Sequence, residues 1–220
     1  MTSRFVTPEE ARRFYDRIGR AQDARPGSER RALEALLELA AFERASSVLE
    51  LGCGTGRFAA RLLGERLPAH ATYLGLDVSP RMVGLARAAV APWAGRARVE
   101  QTGGGLRLPA PDATCDRVVA TYVLDLLSPG DISAFVAEAH RVLRPGGLLA
   151  AASLAPGRTA PARLVTALWE ALWRFRPALL GGCRPLPLGD LLDRHDWDVR
   201  ASVAVTDWFL SSDVLVAARR

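Results

Sequence analysis

Between residues 46 and 154, apolar runs of strand length alternate with stretches of helical periodicity. This alternation limits the possible folds more than any other feature of the chain. Ser46 to Leu51 reads as a short buried strand, Arg57 to Leu63 as a helix and Thr72 to Leu76 as a second strand. Ser79-Pro80 supplies an N-cap and a first-turn proline for a helix with Met82, Leu85, Ala86 and Ala89 on one face. Arg96 to Gln101 and Asp116 to Tyr122 are the third and fourth strands. Ser128 to Asp131 has capping-box spacing and opens a helix bearing Ile132, Phe135, Val136, Ala139 and Val142, which Pro145-Gly146-Gly147 stops. Leu148 to Leu154, the fifth strand, is apolar throughout, as a parallel strand covered on both faces must be. Strands separated by helices in this way predict an open parallel sheet with right-handed crossovers, whose ligands sit beyond the carboxyl ends of the strands.

Residues 29 to 42 carry Leu33, Leu36, Leu37 and Ala40 at helical spacing. After Leu154, residues 161 to 180 form an apolar segment with Leu164, Leu168, Leu172 and Phe175 on one face and Val165, Trp169 and Trp173 on another. Such a helix is expected to be buried or to line an apolar pocket. Two short strands, near Asp198 to Val205 and Val214 to Ala217, end the chain. No repeat, low-complexity tract or linker divides it, so a single domain over 1–220 is expected. Its parts would be a helical flap (1–45), a binding core (46–154), a substrate or lid insertion (155–196) and the last two strands (197–220).

With 49% apolar side chains in 220 residues the chain can bury one good core, and its apolar runs are too short for a membrane span. The N-terminus mixes acids with bases and lacks an apolar signal region, which predicts a cytoplasmic protein. Cys53, Cys115 and Cys183 are too far apart and too few for a disulfide framework or a metal cluster, so no metal site is expected. Every one of the 29 basic residues is arginine, and the net charge is +5. That raises nucleic acid as a partner. No run reaches the roughly 5 or 6 like charges of a basic tail, which together with the alanine and proline content favours compositional bias instead.

The stretch most directly tied to chemistry is Val48-Leu49-Glu50-Leu51-Gly52-Cys53-Gly54-Thr55-Gly56, a strand entering a glycine turn that opens a helix. Glycines permit positive φ and close approach of a ligand, and the helix N-terminus favours an anionic group. The G-x-G-x-G spacing, with an acid two residues ahead, departs from the G-x-G-x-x-G of dinucleotide sites and disfavours NAD.

With these residues the sequence resembles the class I S-adenosylmethionine-dependent methyltransferases. Tyr73-Leu74-Gly75-Leu76-Asp77, with Ser79 and Met82, looks like that family's second strand, and Arg141-Val142-Leu143-Arg144-Pro145-Gly146-Gly147-Leu148 looks like its approach to the fifth. Within the family the chain is most similar to the small-molecule branch that includes the ubiquinone and menaquinone C-methyltransferases. The resemblance implies a Rossmann-like, seven-stranded α/β sheet, mostly parallel, with an antiparallel last strand and helices on both faces. It also implies S-adenosylmethionine as cofactor. Glu50, Gly52, Cys53, Gly54 and Gly56 would then surround its methionine end, and Asp77 would take the ribose hydroxyls. Val78 and Met82 would pack on adenine, and Tyr122 would stand nearby. The competing reading of Asp77 is a helix N-terminal acid. One departure is Gly104, which occupies the position where many relatives place an acid toward the adenine amino group.

Methyl transfer is a displacement at carbon, which chiefly needs alignment and exclusion of water. Asp125, at the carboxyl end of the fourth strand, is the candidate base or counter-charge; otherwise it is a loop acid or cap. Tyr15 would belong to a lid over the cofactor and touch substrate, or simply pack. Arg174, Arg176 and Arg184 are candidates for an anionic group, with Arg184 brought back by the Cys183-Arg184-Pro185 turn. His70, His140 and His195 form no recognisable triad. Cys115 precedes the fourth strand, the wrong side for a nucleophile of the pyrimidine-methylating kind, and no N-P-P-Y-type signature is present. The expected activity is therefore methylation of a small, partly apolar acceptor. The alternatives are a non-methylating reaction that uses the same cofactor, or a nucleic-acid or protein methyltransferase.

Overall fold

The computed structural model describes residues 5–24, 27–207 and 209–220. A seven-stranded sheet is formed by β1 (Ser47–Leu51), β2 (Thr72–Asp77), β3 (Ala97–Gln101), β4 (Cys115–Thr121), β5 (Leu143–Ala155), β6 (Trp197–Asp207) and β7 (Leu210–Arg219). Its order is β3-β2-β1-β4-β5-β7-β6, with the first five parallel to their neighbours and β7 antiparallel to both β5 and β6. Helices α1 (Pro8–Ile18), α2 (Gly27–Leu39), α3 (Arg57–Arg61), α4 (Pro80–Val90), α5 (Pro129–Val142) and α6 (Ala160–Phe175) complete it.

Strand alternation assigns the side chains to two cores. Val48, Tyr73, Val99, Val119, Ala150 and Val214 join the helix residues Leu36, Phe58, Val83 and Ala86 on one face. Leu49, Leu76, Val118, Leu149 and Leu215 join Ile132, Phe135 and Ala139 of α5 on the other. Burial of each large apolar side chain among them contributes roughly 1.5–3 kcal/mol, so the sheet is secured from both sides. The strand order reverses between β1 and β4, which opens a crevice at their carboxyl ends.

Several expected boundaries move. β4 ends at Thr121, because Tyr122 takes φ 52° and leaves the sheet plane. β5 begins at Leu143, before the Pro145-Gly146-Gly147 stretch, because α5 has already ended at Val142. The pairing shifts register between Cys115/Leu143 and Arg117/Leu148, so the extra residues bulge out, with Gly146 at φ 76°. α3 is shorter than expected and loosens into a wide turn over Leu62–Arg66. Both C-terminal strands are longer than expected, since their pairing continues past the apolar residues that mark them in the sequence.

The apolar helix after β5 differs most from expectation. α6 buries Ala162, Thr166 and Trp173, whereas Leu164, Leu168 and Phe175 are 63%, 64% and 81% exposed. Its leucine face stays outside the core formed by the described residues.

Candidate functional site

Asp77 ends β2 at the mouth of the crevice, almost buried. Its Oδ2 accepts from the Gly54 N–H at 2.9 Å and its Oδ1 from the Ser79 N–H at 2.9 Å. Burial pushes its carboxyl up from the ordinary aspartate value, against the pull of these amides. Each oxygen keeps a lone pair for a further donor. The glycine turn stands beside it with Gly52, Gly54 and Gly56 all at positive φ. A Cβ on Gly54 would meet nothing within 4 Å, since that residue faces open space, whereas a Cβ on Gly56 would meet the Ala86 Cα at 2.7 Å. The first glycine leaves room for a ligand; the second lets α4 approach.

A cavity of about 210 Å³ extends from this turn, lined by Gly52, Gly54, Asp77, Val78, Met82 and Tyr122, with Thr102 and Gly104 farther along. A larger one of about 630 Å³ lies on the other side of the turn, lined by Cys53, Thr55, Phe58, Glu29, Arg30 and Leu33. Gln22, Gly52, Gly54, Thr121 and Tyr122 border both. Tyr122 is fixed there by its amide, which donates to Ala152 O at 2.8 Å, and by its hydroxyl, which donates to Ser212 Oγ at 2.9 Å.

The N-terminal segment closes over the first cavity. α1 starts with a capping box between Thr7 and Glu10, and Pro8 stands against Gly104, where any Cβ would collide with it. Asp16 accepts from Ser79 Oγ at 2.6 Å, Asp23 accepts from Thr55 Oγ1 at 2.6 Å, and Tyr15 lines the cavity wall. An acidic side chain at position 104 would leave no room for Pro8. Gln22, on the wall between the cavities, buries its Oε1 without a hydrogen-bond partner.

Three of the expected site residues stand behind the cavities. Glu50 is buried and accepts from Tyr73 Oη at 2.6 Å and Thr121 Oγ1 at 3.3 Å, and burial raises its carboxyl to about 7. Gly56 packs on α4. Asp125 is 1% exposed, lines neither cavity and leaves Oδ1 unpartnered; burial pushes its carboxyl to about 7 as well.

Arg184 does return to this end of the sheet. Its N–H and its Nη1 both donate to the Asp125 carbonyl, and the guanidinium lies over the rings of Phe5 and Trp173. It is thus occupied as a strut between lid, α6 and sheet. Arg174 and Arg176 are solvent-exposed on α6 and its C-cap. None of residues 155–196 lines either cavity among the described residues. That segment meets the site through the lid, with Gly181 against Phe14 and Gly182 against Val6. Cys53 and Cys115 are buried, with thiols pushed up by burial, and His140 stacks edge-on against Trp197.

Gln22, Glu29 and Arg30 were not singled out by the sequence. Their only local signal is the polar side of an amphipathic helix and its approach, which reads as solvent-facing until α2 is placed beside the glycine turn.

Residues 48–147 match the family model described as Methyltransferase domain. A malonyl-(acyl-carrier protein) O-methyltransferase of Serratia marcescens is 32% identical over 145 residues, 65% of this chain and 52% of that protein. A trans-aconitate 2-methyltransferase of Azoarcus sp. is 34% identical over 169 residues, 75% of this chain and 62% of that protein. The chain therefore spans about half to three-fifths of these relatives. Among solved structures, the cyclase SpnF superposes with a TM-score of 0.72 at 15% identity, covering 98% of this chain and 97% of that one. The N-methyltransferase NodS of Bradyrhizobium japonicum, in complex with S-adenosylhomocysteine, gives 0.68 at 16% identity, covering 96% and 98%. At these identities the likeness is one of fold.

Proposed function

The chain belongs to the class I S-adenosylmethionine-dependent methyltransferases, and on that footing we propose that it methylates a small, partly apolar acceptor, with S-adenosylmethionine as donor. The observation that carries this reading is the Asp77 carboxylate, held by two backbone amides against a cavity walled by Gly52 and Gly54. Its remaining lone pairs suit a vicinal diol, which makes two charge-assisted hydrogen bonds to a carboxylate. The orphaned Gln22 Oε1 supplies an acceptor for the cofactor's ammonium group, and the open side of Gly54 leaves room for its methionine end.

The cofactor supplies an electrophilic methyl on a sulfonium. Val78 and Met82 would pack on the adenine, and Gly104 would border it with backbone alone. The acceptor would enter the larger cavity, where Leu33, Phe58 and Tyr122 give apolar contact and Arg30 and Glu29 a polar rim. The lid and the Tyr122 wall would keep water from the junction, where a nucleophile must line up with the methyl group. Tyr15 would close the site from above. Asp125, sealed beneath Arg184, would act on the floor of the site by its charge state, without touching the acceptor. Residues 155–196 would influence acceptor choice through the lid they support.

Titration calorimetry with S-adenosylhomocysteine and with NAD tests the reading: the first binds and the second does not. Asp77→Ala lowers affinity for S-adenosylhomocysteine by about 3–6 kcal/mol, since two hydrogen bonds to a charged acceptor are lost. Unchanged affinity in that variant, or no binding at all, overturns the assignment.

A further inference from the structure

α6 turns one face inward and leaves the other without a partner among the described residues. Inside, Trp169 Nε1 donates to Cys183 O and Trp173 Nε1 to Gly182 O, each at 2.8 Å, and Phe5 of the lid packs on Trp173 with ring centroids 5.5 Å apart. Outside, Leu164, Leu168, Leu172 and Phe175 recur at helical spacing, and Leu179 in the following turn extends them. Their exposures run from 43% to 81%, much the longest run of large exposed apolar side chains among the described residues. Arg163 and Arg174 flank the stripe on one side and Arg176 follows it; all three are exposed and none pairs with a described acid. Glu170, half-buried, is the one acid on the helix.

From this juxtaposition we propose that α6 docks the protein on an anionic lipid surface, with the Leu164–Phe175 stripe in the headgroup layer and the three arginines on lipid phosphates. Length and charge select this occupant. A helix of 16 residues is about 24 Å long, shorter than a hydrocarbon core, so it lies in the plane of the interface. A second copy packed antiparallel along the stripe would bring Arg163 against its partner's Arg174, like charges facing across an apolar seam, whereas a phosphate-bearing surface neutralises them. The chain's net charge of +5 acts in the same direction at long range. Because the inner face of α6 and Arg184 hold Phe5 of the lid, docking would bring the lid end of the molecule to a layer from which an apolar acceptor partitions. This last point rests on the function proposed above; lipid binding itself does not.

The test is co-sedimentation of the whole protein with phosphatidylcholine vesicles, with and without phosphatidylglycerol, at low and high salt. Binding is expected to the phosphatidylglycerol vesicles and to weaken with salt. L168E/L172E lowers the partition coefficient at least tenfold, and changing Arg163, Arg174 and Arg176 together to glutamine lowers it about a hundredfold, near fivefold for each charge. Melting curves and calorimetry with S-adenosylhomocysteine on the same variants should stay at wild-type values, which separates failure of docking from failure of the fold or of the cofactor reading. No binding to phosphatidylglycerol vesicles, equal binding by the variants, or a solution dimer that L168E/L172E dissociates would overturn the proposal.

Discussion

At the residue scale, Glu50 shows how burial governs a charge. Its carboxyl titrates near 7 in the folded protein because desolvation outweighs the hydrogen bonds from Tyr73 and Thr121. A folded pKa above the unfolded value means that the native state holds the proton longer. The stabilisation is complete below the unfolded value near 4.5 and is lost as pH rises through about 7. Asp125 acts in the same direction. Stability measured by urea unfolding should therefore fall between about pH 5 and pH 8, and Glu50→Gln should remove roughly 3 kcal/mol of that fall. The glutamine carbonyl keeps the bond from Tyr73 and its amide N–H can donate to Thr121 Oγ1, so the variant removes the charge with little change of shape. The glycine turn gives a second contrast. Gly54→Ala should cost only about 1 kcal/mol of stability, the strain of its positive φ, but weaken S-adenosylhomocysteine binding because the methyl enters the open space. Gly56→Ala meets the backbone of Ala86 and should cost about 3 kcal/mol or more in thermal unfolding. Similar losses of stability in both would contradict the distinction.

At the element scale, helices are placed by polar side chains that the hydrophobic pattern does not reveal. Arg117, inside β4, donates to Ala40 O at 2.7 Å, just past the end of α2, and to Ala41 O at 2.6 Å, which also accepts from the Arg44 N–H, so one side chain ties this helix end to the sheet. Desolvation lowers its pKa, and Asp116 beside it partly restores it. The lid is held by the bonds from Thr55 to Asp23 and from Ser79 to Asp16. Thr55→Ala should accelerate hydrogen exchange in residues 19–24 and speed S-adenosylhomocysteine dissociation about tenfold or more, about 1.5 kcal/mol at the least for one charge-assisted bond. Exchange rates unchanged in that segment would show that the bond does not hold the lid. The capping box and first-turn proline that start α1 are local features, but its position over Gly104 is not, because no local preference records a contact made across the chain.

At the scale of the whole molecule, the site exists only where β1, β2, β4 and the N-terminal segment meet. A ligand that binds there links them, so S-adenosylhomocysteine should raise the melting temperature in proportion to the logarithm of its concentration. At about a hundred times its Kd it should add about 2.7 kcal/mol, with no shift from NAD. The strand–turn–helix alternation and the glycine spacing determine the sheet and its crevice, since each depends on local periodicity and backbone freedom within a few residues. Tertiary structure alone decided that Glu50 and Asp125 face inward, that Arg184 is spent on a carbonyl, that α2 rather than the 155–196 insertion walls the larger cavity, and that the leucine face of α6 is bare. In α6 the tryptophan and leucine faces are both apolar in sequence. The tryptophan face is inside because its indole N–H groups reach carbonyls of the 182–183 turn, and hydrophobicity, which has no direction, could not choose between the two.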